Sequence, residues 1–296
     1  MFRPKYFMLE EKWFRLTLNE EKIALRAISF SERSDLMNIW IEHGAISQVT
    51  LNRPQIRNAL NQEIIYELIE TFSKLGQDSG VRAIILHAEG EKAFCAGADL
   101  SEVATLGTVE SVRRYFSLMG TLIETIHELS TPVIAATFGY TLAGGMGLAA
   151  ACDFVIAAED GYFGLPEVKI GLFPMVVMAP ITRLIGPRRT LELALTGRLV
   201  TSKEMDRWGF CNAVVPFDQV RSQAREMAEL ISMGSPFVAR MGKEAWYQTE
   251  DMEYHQAIEY LQNMISLIAL SDDSHEGIKA FLEKRPPIWP SDRASD

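Results

Sequence analysis

The chain has 296 residues, 48% of them hydrophobic, which is enough for a large core without disulfide or metal staples. A formal net charge of -10 argues against general affinity for nucleic-acid phosphates or anionic membranes, because surplus Lys and Arg hold both. No apolar run is long enough for a signal peptide or a membrane span. Three scattered cysteines without a C-x-x-C pair disfavour a disulfide framework and a zinc site, so a reducing, cytoplasmic location is expected.

The first half of the chain predicts strands alternating with helices. Residues 1–34 mix aromatic and charged side chains without a sustained period, and we interpret them as an N-terminal extension. Residues 38–42 and 46–51 predict a hairpin. Residues 61–75 carry apolar side chains at helical spacing, and the β-branched run 81–87 predicts a buried strand.

The pattern then continues with a longer amphipathic helix over 112–126 and strands at 132–137 and 154–157. Helices between successive strands indicate right-handed crossovers and a largely parallel sheet. Beyond Pro174 the pattern is almost wholly helical. The predicted organisation is an α/β core over 35–200 followed by a helical C-terminal region over 201–296.

The first segment suited to chemistry is Phe94-Cys95-Ala96-Gly97-Ala98-Asp99-Leu100, between a buried strand and a helical stretch. Small residues let a ligand approach the backbone, and the start of a helix presents unpaired N–H groups to an anion or a polarised carbonyl. The alternative is a tight turn with Asp99 as a helix N-cap.

The second segment runs from Gly139 to Gly147 and again lies between a strand and an Ala-rich helical stretch. It can supply a second forward-pointing N–H. It also contains a G-x-G-x-x-A pattern over 145–150, but a dinucleotide-binding loop should follow its strand directly, and about six residues separate Thr137 from Gly144 here. Close helix packing is the other explanation for these glycines.

The third segment places Glu167 among apolar neighbours, after Pro166 and before the run Met175-Val176-Val177-Met178. A carboxyl group in such surroundings should have a raised pKa, which suits proton transfer near neutral pH. The Met and Val residues could form an apolar wall against a ligand, although such clusters are usually core. A surface Glu at a helix start is the alternative for Glu167.

Taken together and in this order, these segments resemble the enoyl-CoA hydratase/isomerase, or crotonase, superfamily. The resemblance extends from about Leu36 to Pro287. Further supporting motifs are Leu51-Asn52-Arg53-Pro54, Asn58-Ala59-Leu60, Asp153, Leu195-Thr196-Gly197-Arg198 and the stretch 209–216.

The resemblance implies a spiral of ββα units with a helical C-terminal region used for trimerisation, as a homotrimer or a hexamer. It implies an acyl-CoA substrate, with coenzyme A as part of that substrate and no other cofactor or metal. Ala98 and Gly144 match the two oxyanion-hole residues, whose N–H groups would stabilise a thioester enolate. The expected coenzyme A contacts are Arg57, Ala59, Lys92, Ala96, Asp99, Leu100, Phe281 and Lys284, where each lysine could instead be an ordinary solvated side chain.

One departure from the family pattern bears on the reaction. Two-acid hydratases of the family carry a Glu three residues after the central oxyanion glycine, where this chain has Gly147, while the second acid is present as Glu167. The single acid favours double-bond isomerisation, with Glu167 as acid and base. A single-Glu hydratase, or a scaffold or RNA-binding protein without activity, remains an alternative. No Asp follows Phe173 where dienoyl-CoA isomerases and hydroxyacyl-CoA hydrolases carry one, which disfavours both activities.

Overall fold

The fold is built on two sheets, seen in a computed structural model that describes residues 38–293. The strands of this part are, in chain order, β1 (Ile39–Glu42), β2 (Ile46–Leu51), β3 (Ala83–Ala88), β4 (Ala93–Cys95), β5 (Val133–Thr137), β6 (Tyr140–Leu142), β7 (Phe154–Ala158), β8 (Tyr162–Gly164), β9 (Leu199–Thr201) and β10 (Ala213–Val215). The larger sheet has the order β1-β2-β3-β5-β7-β10, and the smaller sheet has the order β4-β6-β8-β9. In the larger sheet only β1 is antiparallel to its neighbour.

In three successive pairs of strands, the first strand lies in the larger sheet and the second lies in the smaller sheet. β3, β5 and β7 each enter the larger sheet, and the strand that follows each of them, β4, β6 or β8, enters the smaller one. A helical segment comes after each pair. This repeat confirms the predicted spiral of ββα units. Because β4, β6 and β8 are parallel, their carboxyl ends lie at one edge of the smaller sheet.

Helices cover the sheets and form most of the C-terminal part. They are α1 (Gln62–Gln77), α2 (Leu100–Val103), α3 (Val109–Glu128), α4 (Gly144–Ala150), α5 (Met178–Ile185), α6 (Pro187–Thr196), α7 (Ser202–Arg207), α8 (Val220–Ser232), α9 (Pro236–Gln248), α10 (Tyr254–Ala269), α11 (Asp272–Glu283) and α12 (Pro290–Arg293). Local chemistry sets several starts: the Asn61 side chain accepts from the Ile64 amide at α1, and Thr108 forms a capping box at α3. None of the helices in residues 38–293 combines the length and apolar character of a membrane span.

A buried ion pair joins α9 to the larger sheet. Asp153 accepts hydrogen bonds from the Val133 amide at 2.6 Å, from the Lys243 ammonium at 2.6 Å and from the Tyr247 hydroxyl at 2.8 Å. Lys243 also donates to the carbonyl of Thr131 at 3.1 Å. Burial lowers the pKa of Lys243, and the adjacent Asp153 carboxylate opposes that shift. Both charged groups of this cluster therefore have partners.

The strands and helices predicted before Pro174 are confirmed, including the hairpin of β1 and β2 and the helix α3. The expectation of an almost wholly helical chain after Pro174 is wrong in part, because β9 and β10 lie there and pair with β8 and β7. Strands of three residues are too short to show a period of two. The domain boundary at residue 200 stays a prediction, and the extension over 1–34 lies outside the described residues.

Candidate active site

The three segments singled out in the sequence begin at the same edge of the smaller sheet. β4 ends at Cys95, three residues before Ala98; β6 ends at Leu142, two residues before Gly144. β8 ends at Gly164, three residues before Glu167. Parallel strands bring their carboxyl ends together, so the sheet itself gathers the two backbone amides and the acid.

The amides of Ala98 and Gly144 are neighbours. A Cβ atom added to Gly144 would lie 3.6 Å from the Ala98 nitrogen, and one added to Gly97 would lie 2.9 Å from the Gly144 nitrogen. The residues on either side of Ala98 are paired with the backbone of Leu60, through Leu60 N to Gly97 O at 2.8 Å and Asp99 N to Leu60 O at 2.8 Å. Across residues 38–293, neither the Ala98 nor the Gly144 amide donates to another backbone group. Both are free to bind a carbonyl oxygen.

The backbone just before Gly144 is held in a conformation that alanine rarely adopts. Ala143 has φ 51° and ψ -125°, in a region that normally requires glycine, at a typical cost of about 1–3 kcal/mol. Its amide donates to the Gly164 carbonyl at 2.9 Å, and its own carbonyl accepts from Met146 and Gly147. These bonds fix the strained turn and with it the direction of the first amide of α4.

Glu167 lies in a short 3-10 helix, Pro166–Ile170, that follows β8. Its Oε2 atom is buried and has no hydrogen-bond partner among the described residues. Desolvation by burial raises the pKa of Glu167 to about 7, although its own backbone amide opposes the shift. The carboxyl group can therefore both take up and return a proton near neutral pH.

The G-x-G-x-x-A glycines are packing residues inside α4. A Cβ atom at Gly145 would lie 2.2 Å from the Cys95 carbonyl oxygen, and one at Gly147 would lie 2.3 Å from Val177 Cγ1. Both glycines are buried within the helix rather than in a loop that could hold a pyrophosphate. The structure thus favours close helix packing over the dinucleotide alternative. It also leaves no room for a side chain at 147.

Six of the predicted coenzyme A contacts lie beside β4 or the turn that follows it. The Ala96 amide donates to the Arg57 carbonyl at 3.0 Å, which places the exposed Arg57 and the buried Ala59 beside this turn. Lys92 is exposed immediately before β4, and Leu100 is half-exposed after it. Their roles stay predictions, and so does that of Asp99.

Asp99 also has a structural role, besides the coenzyme A contact predicted for it. It is the N-cap of α2, and its carboxylate accepts from the Ser101 amide at 3.1 Å and from Arg53 at 3.3 Å. Burial raises the pKa of Asp99, but the hydrogen bonds from Ser101 and the Arg53 guanidinium outweigh it and hold the pKa below its ordinary value.

Phe281 and Lys284 lie at the end of α11. Phe281 is 82% exposed, and no described hydrogen bond or ion pair connects either residue to the other site residues.

Sequence reasoning missed two residues beside the amides. The methyl group of Met119 on α3 lies 3.6 Å from the Cβ position of Gly144. Ala143 carries the strained turn. The helical period placed Met119 on an apolar stripe, but no sequence signal showed that this stripe reaches Gly144, and nothing marked Ala143. Within residues 38–293 no cluster of His, Cys, Asp or Glu is placed to hold a metal ion.

The site combines a desolvated carboxyl group with two unpaired backbone amides at the same sheet edge. This combination is typical of an enzyme that stabilises an anionic oxygen while it transfers a proton. The enoyl-CoA hydratase/isomerase family model matches residues 42–292. The protein named probable enoyl-CoA hydratase in Mycobacterium bovis is 38% identical over 241 residues, covering 81% of this chain and 92% of that protein.

Two further proteins extend the similarity. The short-chain-enoyl-CoA hydratase of Clostridium acetobutylicum is 32% identical over 254 residues, covering 85% of this chain and 97% of that protein. The crystal structure of an enoyl-CoA hydratase from Bacillus anthracis superposes with a TM-score of 0.82 at 34% identity, covering 86% of this chain and 100% of that one. The chain belongs to the enoyl-CoA hydratase/isomerase family, which is a family of enzymes.

Proposed function

We propose that the protein isomerises 3-enoyl-CoA thioesters to 2-enoyl-CoA thioesters, with Glu167 as the only acid and base. The Glu167 carboxylate removes a proton from C2, and the electron pair moves onto the thioester oxygen as a dienolate. The amides of Ala98 and Gly144 hold that oxygen. The protonated Glu167 then returns the proton to C4, so that the double bond moves from C3=C4 to C2=C3 and no atom is gained or lost.

The surroundings of Glu167 are the observation that carries this proposal. A single group must be ionised to remove the proton and protonated to return it, which is easiest when its pKa lies near the working pH. Burial without a partner raises the pKa of Glu167 to about 7. Preorganised amide donors aimed at a developing oxyanion are worth roughly 3–4 kcal/mol each in other enzymes.

For the thioester itself we propose that the segment around Arg57 and Ala96 contacts coenzyme A. The pairing of these two residues supports this, because it places Arg57 next to the segment that carries Ala98. Lys92 and Lys284 would supply cations for the phosphates on a chain of net charge -10. No further cofactor enters this reaction.

Hydration of 2-enoyl-CoA is the second candidate, and the names of the relatives favour it. In that reaction water adds across C2=C3, and Glu167 would have to activate the water without a second acid, because Gly147 stands where that acid would be. The absence of that second carboxylate is why we place isomerisation first.

We further propose that the chain assembles as a homotrimer, or a hexamer formed from two trimers, through its C-terminal helices. Exposed apolar side chains on and after α10 support this, since α10 buries only Ile268 within the chain. The exposed residues include Leu267, Leu270, Ile278, Phe281 and Leu282. A cytoplasmic location fits the three free, buried cysteines.

Product analysis in heavy-oxygen water tests the reaction. The protein is incubated with a 3-enoyl-CoA and, separately, with crotonyl-CoA. The masses of the products are then measured by mass spectrometry. Isomerisation predicts unlabelled 2-enoyl-CoA from the first substrate. Labelled 3-hydroxyacyl-CoA as the main product would instead establish hydration, and no turnover or thermal shift with any acyl-CoA would establish an inactive scaffold.

A further inference from the structure

Two apolar side chains, Met119 and Val177, lie against α4, and a third, Val176, joins the segment before α5 to α3. Met119 of α3 approaches the Cβ position of Gly144 to 3.6 Å. Val176 approaches the Cβ position of Gly120, also on α3, to 3.8 Å. Val177, the next residue, is only 4% exposed and touches α4 itself. The segment before α5 and the helix α3 therefore meet beside the proposed oxyanion amide.

Val177 fills the space that a side chain at position 147 would take. A Cβ atom there would lie 2.3 Å from Val177 Cγ1 and 2.6 Å from Val177 Cβ. Residues three apart in a helix share a face, and a helical side chain leans over the turn that precedes it. For Gly147 that is the turn beginning at Gly144. The isopropyl group of Val177 therefore occupies the place of a side chain that would share a helix face with Gly144.

We propose that Val177 is a specificity-determining residue, which excludes water from the α4 side of the enolate and so favours return of the proton over addition of water. A bound water needs about 10–15 Å³ of free volume and two to four polar partners. The Val177 side chain occupies the volume and offers no partner. This inference rests on the proposed isomerase function and adds the reason why Glu167 does not hydrate the product.

Two variants of Val177 test the inference by different routes. Val177→Ala removes two methyl groups and opens space for water, whereas Val177→Thr keeps the volume and adds a hydroxyl partner. Each is incubated with a 3-enoyl-CoA in heavy-oxygen water, and the ratio of labelled 3-hydroxyacyl-CoA to 2-enoyl-CoA is measured. We expect that ratio to rise on the order of tenfold, the effect typical of small changes in pocket shape.

Val155→Ala is the matched control, because it removes the same two methyl groups from a buried position in β7. Its product ratio should equal that of the unchanged protein. If the ratio is unchanged in both Val177 variants, or rises equally in Val155→Ala, the role of Val177 is disproved while the isomerase function stands. If the unchanged protein itself gives mainly labelled hydroxyacyl product, the isomerase function is what fails.

Discussion

Two partly buried carboxylates of this enzyme, Asp153 and Glu167, have opposite surroundings. Asp153 accepts three hydrogen bonds, one of them from a buried ammonium group, and it joins α9 to the larger sheet. Glu167 has an oxygen with no partner among the described residues, and its pKa is raised to about 7. Burial alone therefore does not determine what a carboxylate does. Its partners decide whether it stabilises the fold or remains available to exchange a proton.

Removal of the proton-transferring group should give the largest effect. Glu167→Gln keeps the size and polarity of the side chain but cannot accept a proton. We expect kcat to fall by about 10²–10⁴-fold, with acyl-CoA affinity largely unchanged. Steady-state kinetics and acyl-CoA binding measure the two quantities. Glu226→Gln, an exposed change on α8, is the control, and equal activity of both variants would remove Glu167 from the mechanism.

The pH profile of the unchanged enzyme should agree with that result. Because Glu167 must be ionised to remove the first proton, kcat/KM should rise with pH through about 7 and then stay level. A bell-shaped profile would indicate a second essential acid and would contradict the single-carboxylate mechanism.

At Asp153 the large effect should be on stability instead. Lys243→Met leaves the Asp153 carboxylate buried without its cation, and breaking such a pair costs about 3–5 kcal/mol. Denaturant unfolding measures the loss. Lys74→Met is the control, because Lys74 and Glu70 form an exposed pair in α1, and such pairs contribute about 0–1 kcal/mol. Similar losses in the two variants would show that the buried cluster has no special structural role.

Glu167→Gln should increase the stability of the fold at pH 8, in contrast to the loss expected for Lys243→Met. The folded pKa of Glu167 is raised above the unfolded value, so the stabilising contribution of its protonated form is complete below pH 4.5 and is lost as pH rises through 7. We expect the variant to be more stable than the unchanged enzyme at pH 8, by about 1–3 kcal/mol, and nearly equal at pH 4. A loss of stability at pH 8 would mean that the folded enzyme prefers the ionised carboxylate.

The smallest effect is expected at the strained turn. Ala143→Gly relieves the positive φ and should stabilise the fold by up to about 1 kcal/mol, while a looser Gly144 amide lowers kcat a few-fold. Ala149→Gly, at a buried position in the second half of α4, should instead destabilise by about 1 kcal/mol. If Ala143→Gly behaves like Ala149→Gly, then Ala143 carries no strain.

The sequence predicts the larger sheet, except for the three-residue strand β10, and the longer helices, because their apolar patterns extend over more residues, as in α3. It does not predict the smaller sheet, whose strands of three residues, such as β6, show no period. The site residues also differ in how far the sequence alone identifies them. Glu167 could be recognised by its apolar neighbours, whereas Ala98 and Gly144 were assigned through the family resemblance, since a backbone N–H leaves no side-chain signature. The contact of Val177 with Gly147 joins separate elements, and only the fold reveals it.

A crystal structure of the Glu167→Gln variant with a bound 3-enoyl-CoA would show whether the two amides hold the thioester oxygen. We expect the thioester oxygen to lie about 2.7–3.1 Å from the amide nitrogens of both Ala98 and Gly144, with the substituted side chain at position 167 next to C2. A thioester carbonyl that contacts neither amide, or a C2 atom remote from residue 167, would contradict the proposed mechanism.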